Sequence, residues 1–253
     1  MRSVVVLWAA LAVPSVAAAT EIDVHAGAEH LLWEEFDDSG GRVREENGTR
    51  LFVGVVGTNP VNPEWSSDFG GRFYSATVDF EGDNGQGESL VSDTDYNGYQ
   101  LELGFQRYLG PWQQQREGVW RVRFALGTER WRRSVQDVRL ASGATVEGFV
   151  QRFATNYVRL GAAYRRGTLW AFDIGARAPF NARAEMDGVD GEVTVKPEGQ
   201  LSLYTAVEVG LVANWSLALN YDSYRFSKSD TEEGLYQPRS EQETFGAALH
   251  YRF

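Results

Sequence analysis

The sequence predicts an all-β fold, a transmembrane antiparallel up-and-down β-barrel of ten strands, eight being the alternative. Three observations carry this. Period-two alternation of apolar and polar residues recurs from end to end, whereas three- and four-residue helical spacing is scarce. One alternating set is large and apolar, while the other holds glycine, small residues and charges. With 27 Gly, only 7 Pro and 13 % aromatics, the composition suits many strands and turns.

The chain opens with "MRSVVVLWAALAVPSVAAA", which has a positive start at Arg2, an apolar run over 4–13, and small residues at Ala17 and Ala19. These are the parts of a secretory signal peptide, cut after Ala19. The run is too short to cross a bilayer as a helix, and no later stretch approaches eighteen consecutive apolar residues. Residues 1–19 are therefore expected to be the signal and 20–253 the barrel. Taking Arg2 from the 24 basic residues leaves 23 against 35 acidic ones, a net charge of −12. Such acidity argues against nucleic acid as a partner, because phosphate binding needs basic patches. There is no cysteine, so disulfides do not hold this exported chain.

Ten segments alternate. The first sets Ile22, Val24, Ala26 and Ala28 against Asp23, His25, Gly27 and Glu29. The second, "RLFVGVVG", is less clean because both sets are apolar or glycine. The third sets Tyr74, Ala76, Val78 and Phe80 against Phe73, Ser75, Thr77 and Asp79. In the fourth, Tyr99, Leu101, Leu103 and Phe105 oppose Gln100, Glu102 and Gly104; in the fifth, Trp120, Val122, Phe124 and Leu126 oppose Arg121, Arg123, Ala125 and Gly127. The sixth alternates Val158, Leu160 and Ala162 with Tyr157, Arg159 and Gly161, and the seventh Trp170, Phe172 and Ile174 with Ala171, Asp173, Gly175 and Arg177. The eighth pairs Leu203, Val207 and Val209 with Tyr204, Ala206 and Glu208. The ninth pairs Trp215, Leu217, Leu219 and Tyr221 with Ser216, Ala218, Asn220 and Asp222. The tenth runs Phe245, Ala247, Leu249, Tyr251 and Phe253 against Gly246, Ala248, His250 and Arg252.

A soluble sandwich would bury the apolar face and scatter Lys and Glu outside, yet Lys occurs only at Lys196 and Lys228. If the apolar face meets lipid and the charged face lines an interior, both features fit. Hydrocarbon admits only strands whose backbone groups are all paired, which closure provides. Long connections, about residues 36–48, 82–95, 131–150, 180–198 and 228–241, alternate with shorter ones. The exception is "TNPVNPEWSSDFG", too long for a tight turn. Outer-membrane barrels carry short periplasmic turns and longer external loops, which puts both termini inside. Two aromatic girdles are expected: Trp112, Trp120, Trp170, Trp215, Tyr251 and Phe253 at the short-turn end, and Trp33, Phe36, Phe80, Trp131, Phe149, Phe180 and Phe226 at the other.

With signal, alternation and the terminal "LHYRF" together, the chain resembles the small bacterial outer-membrane β-barrels, the OmpA-transmembrane, OmpX and OmpW-like class. The resemblance implies the cell outer membrane as location, and outer-membrane lipid and lipopolysaccharide as surroundings. It also implies that Leu249, Tyr251 and Phe253 form the C-terminal signal read by the barrel-assembly machinery. It transfers no catalytic or ligand residue.

The inward set contains Asp23, Glu29, Asp79, Glu102, Glu129, Asp173, Glu208 and Asp222 with Arg72, Arg121, Arg123, Arg159, Arg177 and Arg252. In a barrel this narrow, opposite charges are expected to plug the lumen, since aqueous channels belong to far wider barrels. His25 and His250 face inward on the first and last strands, which pair on closure, but no serine or acid spacing singles out a triad. Asp93, Asp95, Asn97 and Gly98 open a calcium-loop pattern that fails at its twelfth position, Gly104. Arg130, Arg132, Arg133, Arg139 and Arg152 form a basic strip able to meet lipopolysaccharide phosphates. The function expected is a monomeric, charge-plugged barrel whose loops serve structural or surface-interaction roles. A narrow porin-like channel is the alternative and an outer-membrane hydrolase a distant third. No enzyme, cofactor or metal is expected.

Overall fold

Alternation gives each extended stretch two unlike faces, and ten such stretches pair edge to edge in the computed structural model. The structure describes residues 21–83, 89–110, 118–139, 145–188 and 191–253; the signal segment and Trp112 fall outside these. The barrel strands are β1 (Glu21–Phe36), β2 (Arg42–Asn62), β3 (Trp65–Asp83), β4 (Ser89–Tyr108), β5 (Val119–Val135), β6 (Phe149–Arg166), β7 (Trp170–Gly188), β8 (Ser202–Gly210), β9 (Trp215–Phe226) and β10 (Arg239–Arg252). Each pairs antiparallel with the next, and β10 returns to β1 from Asp23↔Arg252 to Phe36↔Arg239. Closure gives each of the ten barrel strands a partner on both sides. The ten-strand expectation holds, because the poorly alternating β2 pairs along its length with both β1 and β3.

The connections are shorter than the sequence suggests. Most of "TNPVNPEWSSDFG" is strand, and the hairpin turns between Asn62 and Trp65, where Asn62 Oδ1 accepts the backbone N–H of Glu64 (2.9 Å) and Trp65 (3.0 Å). At the opposite end, Asp37 Oδ1 accepts from the N–H of Ser39 and of Gly41, both 2.8 Å, and Gly40 takes the left-handed φ of 86° that the turn requires. We call these the terminus end and the loop end. At the loop end, Gly191–Val195 folds back on β7, and Val138–Arg139 pairs with Thr145–Val146.

Strands β2 to β7 run 17 to 21 residues, about twice the 9–11 that a tilted strand needs to cross a bilayer. Their two faces exchange character along that length. Near the terminus end and middle, outward residues such as Leu51, Val53, Phe73, Phe124 and Leu160 are large, apolar and exposed. Toward the loop end the outward residues are Asp79, Asp93, Asp95, Arg132 and Arg152, while the inward ones become aromatic.

This exchange corrects two expectations. In β3 it is Tyr74, Val78 and Phe80 that are buried inside the barrel, whereas Phe73 and Asp79 point out and are exposed. Four of the seven residues expected in the loop-end girdle also leave the outer face: Trp33, Phe80, Trp131 and Phe226 are buried in the interior, while Phe180 stays exposed. The terminus-end girdle stands, with Trp120, Trp170, Trp215 and Phe253 all exposed on the outer face.

Candidate functional site: a two-tier lumen

Alternation delivers one inward side chain per two residues, so neighbouring strands stack their polar residues in rows across the lumen. In the terminus half these are almost all charged. Arg123 reaches Asp68 (3.0 Å) and Asp173, with Glu102 at 3.8 Å; Arg159 Nη1 donates to Glu102 at 3.0 Å and lies over the Tyr204 ring at 3.8 Å. Tyr204 lies across Gly161 and Gly175, where an added Cβ would meet its hydroxyl at 2.1 and 2.5 Å. Arg252 pairs with Glu208 and with Asp23 (3.1 Å), and Arg165 pairs with Glu208 at 3.2 Å. These groups surround a cavity of 340 Å³.

Deeper in, Glu29 accepts from Arg50 at 2.5 Å and also from Arg72. Tyr74 and Tyr224 both donate their hydroxyls to Glu129, at 2.7 and 2.5 Å. Arg177 pairs with Asp222 at 2.5 Å and lies over the Tyr224 ring at 4.1 Å. A buried charge is tolerable only when paired and hydrogen-bonded, and here Glu29 is paired with Arg50 and Arg72, and Asp222 with Arg177.

At the loop end the lumen is filled by Leu31, Trp33, Trp131, Phe153 and Phe226, none more than 4 % exposed. Trp33 on β1 packs against Phe153 (ring centroids 5.3 Å) and Trp131 (6.2 Å) on the far wall, and Trp131 stacks on Phe153 at 4.7 Å. Embedded among them, Arg133 donates to Glu35 (2.7 Å) and pairs with Glu46 (2.7 Å). Glu35 further accepts from Trp33 Nε1 and Gln237 Nε2, both at 3.1 Å, and Glu46 from the Tyr96 hydroxyl.

No protein-family model matches the sequence, and no curated protein matches it. Solved structures do. The outer-membrane protease OmpT of Escherichia coli superposes with a TM-score of 0.57 at 12 % identity, over 93 % of this chain and 97 % of that one. The fold is that of an outer-membrane β-barrel. An outer-membrane channel from Pseudomonas putida F1 matches over 93 % of this chain and 96 % of that one, with a TM-score of 0.43 and 8 % identity. The attachment invasion locus protein Ail of Yersinia pestis matches over 92 % and 98 %, with 0.36 and 11 %.

Of the lumen residues expected from the sequence, Asp23, Glu29, Glu102, Arg121, Arg123, Arg159, Asp173, Arg177, Glu208, Asp222 and Arg252 all face inward. Asp79 does not. Arg121 lines the cavity, and among the described residues no carboxylate comes within ion-pair distance of it. Leu249, Tyr251 and Phe253 form an outward row, Tyr251 packing between Trp215 (4.9 Å) and Phe253 (4.8 Å). The Phe253 N–H donates to the Ile22 carbonyl at 2.9 Å, fixing the last residue to the first strand.

His25 and His250 are direct register partners, as closure requires, and their rings stack at 4.8 Å. Sequence reasoning missed Asp68, Arg50, Arg165 and the Arg133 group. Continuing the inward parity of Arg121 and Arg123 along β5 reaches Glu129, Trp131 and Arg133, which takes Arg133 out of the basic strip. The side chain of Arg139 is not described. The calcium-like Asp93, Asp95 and Asn97 are exposed strand residues of β4, where Asp95 accepts from Thr77 Oγ1 at 2.6 Å.

Proposed function

We propose that this chain is a non-conducting, non-enzymatic barrel of a Gram-negative outer membrane, monomeric, with a loop end that serves a structural or surface-interaction role. The observation that supports this is the loop-end tier, where among the described residues the buried rings of Trp33, Trp131, Phe153 and Phe226 pack across the lumen above the charged rows. The purified barrel in planar bilayers is expected to give a flat trace at 1 M salt; reproducible ion-sized steps would establish the narrow-channel reading instead. That reading draws on the 340 Å³ cavity lined by charges of both signs.

A hydrolytic reading would need a nucleophile held by a base. Ser216 stands opposite His250 in register, and Asp23 accepts from the same ring at 2.7 Å, but no hydrogen bond joins the Ser216 hydroxyl to the imidazole. The likeness to a protease rests on 12 % identity and carries the fold alone.

For partners, Arg130, Arg132, Arg152 and Arg183 lie on one outward face, and Arg132 and Arg152 are direct cross-strand partners. Like charges placed opposite each other repel; Glu192 already pairs with Arg152 at 2.8 Å, and the phosphates of lipopolysaccharide would supply anions for the remaining arginines of this face. The outward row Leu249, Tyr251 and Phe253 is the surface offered to the assembly machinery. Deleting Phe253 removes both a girdle aromatic and the Ile22 contact. Loss of heat-modifiable, membrane-inserted protein is expected in cells; normal insertion of the deletion variant would remove the tag role.

A further inference from the structure

We propose that Asp23, His25 and His250 form a binding site for a divalent transition-metal cation, Zn²⁺ or Cu²⁺ in type, where β1 and β10 close the barrel. The site comes directly from the topology. Asp23 and His25 are two apart on β1 and so share the inward face, and closure sets His250 opposite His25. One donor atom from each of the three lies within 4.8 Å of the other two. Asp23 Oδ1 is the shared vertex, 2.7 Å from His250 Nδ1 and 3.5 Å from His25 Nδ1.

Zinc bonds of 2.0–2.2 Å to imidazole and carboxylate in a tetrahedron imply donor-to-donor edges of about 3.4 Å. The Asp23–His25 edge already has that length; the Asp23–His250 edge, a 2.7 Å hydrogen bond, would lengthen as a cation replaced its proton. His25 Nδ1 is buried and has no hydrogen-bond partner, a position a cation would fill. The opposite nitrogen, Nε2, lies over Gly54, where an added Cβ would stand only 2.3 Å away. The missing side chain at Gly54 thus makes room for the ring to present Nδ1 to Asp23.

The surroundings fit a cation. Arg252 Nε holds the other carboxylate oxygen, Asp23 Oδ2, at 3.1 Å, so Oδ1 stays aimed at the two rings. Orienting contacts of this kind are part of what sets metal affinity. The charge of Arg252 is itself offset by Glu208 and by Glu21 at 3.5 Å. Two imidazoles and one carboxylate suit zinc, copper or nickel rather than calcium or magnesium, which take oxygen donors. All three residues line the 340 Å³ cavity or border it, so the fourth coordination position faces open space for water or a small ligand.

The test uses the complete mature barrel refolded in detergent without a histidine tag, titrated with Zn²⁺ by calorimetry. One Zn²⁺ per chain is expected. His25→Ala and His250→Ala should each weaken binding at least tenfold, whereas His30→Ala, which removes the third histidine of the chain from the outer face, should leave it unchanged. Absence of saturable binding to the wild-type barrel, or equal binding by the double variant His25→Ala/His250→Ala, would overturn the site. If an alanine variant fails to refold, the Cu²⁺ electron paramagnetic resonance spectrum of the wild-type barrel answers instead. Superhyperfine splitting from two nitrogens is expected; an all-oxygen spectrum would overturn the site as well.

Discussion

Replacing Arg133 with methionine destabilises the folded barrel by about 3–5 kcal/mol, the usual cost of removing one partner from a buried ion group. Methionine keeps most of the packing volume, so the loss comes from charge. Arg133 is fully buried and holds two carboxylates, Glu35 and Glu46, that are buried as deeply. Without it they stand as diagonal neighbours on the paired strands β1 and β2 with only neutral donors and the half-exposed Arg44 to oppose them. Urea unfolding in detergent measures the difference between variant and wild type. The triple variant Arg133→Met, Glu35→Gln, Glu46→Gln should recover most of the loss, because a buried charged group can be exchanged for neutral residues at little cost. A single-variant loss below about 1 kcal/mol would show that water reaches the carboxylates.

Opening the lumen takes a different pair of changes. Trp33→Ala combined with Trp131→Ala removes two rings that meet across the barrel, 6.2 Å between centroids. Each truncation alone costs about 3–5 kcal/mol. The two effects are not expected to add, because the rings touch each other and share Phe153 as a neighbour. The double variant is expected to pass ions in planar bilayers where wild type stays silent. Arg121→Ala with Arg123→Ala, the substitution the sequence alone would choose as an unplugging change, is expected to leave the trace closed because the aromatic tier stands above both. Steps from the arginine variant and silence from the tryptophan variant would reverse this assignment.

Strand number, closure order and the inward face of most strands were legible because the lipid-facing rows are unbroken: Val122, Phe124 and Leu126 on β5 admit one orientation only. The third strand was misread for a physical reason. Tyr74, Val78 and Phe80 are as apolar as a lipid-facing row, and period-two alternation cannot say which of two media the apolar set meets. Asp79 was therefore placed inside, and Trp33, Phe80, Trp131 and Phe226 in a girdle. Parity counted from the reliable half of each strand would have corrected all of these, since a continuous ladder does not change face without a bulge. The Asp23–His25–His250 grouping was half legible. The two histidines were expected as neighbours and Asp23 on the same inward face, but the contact of Asp23 with His250 follows only from the seam register His25↔His250.

The exchange of faces along the strands has a consequence for how the sequence can vary. Asp95 and Leu101 lie on the same outward face of β4, three side chains apart. A substitution that is neutral at one of them is hostile at the other, because one height of the cylinder obeys the solubility rules of hydrocarbon and the next those of water. Sequence drift in this chain is thus filtered by altitude more than by strand: any two homologous barrels should agree in polarity at equal height even where their strands have slid past one another or changed length.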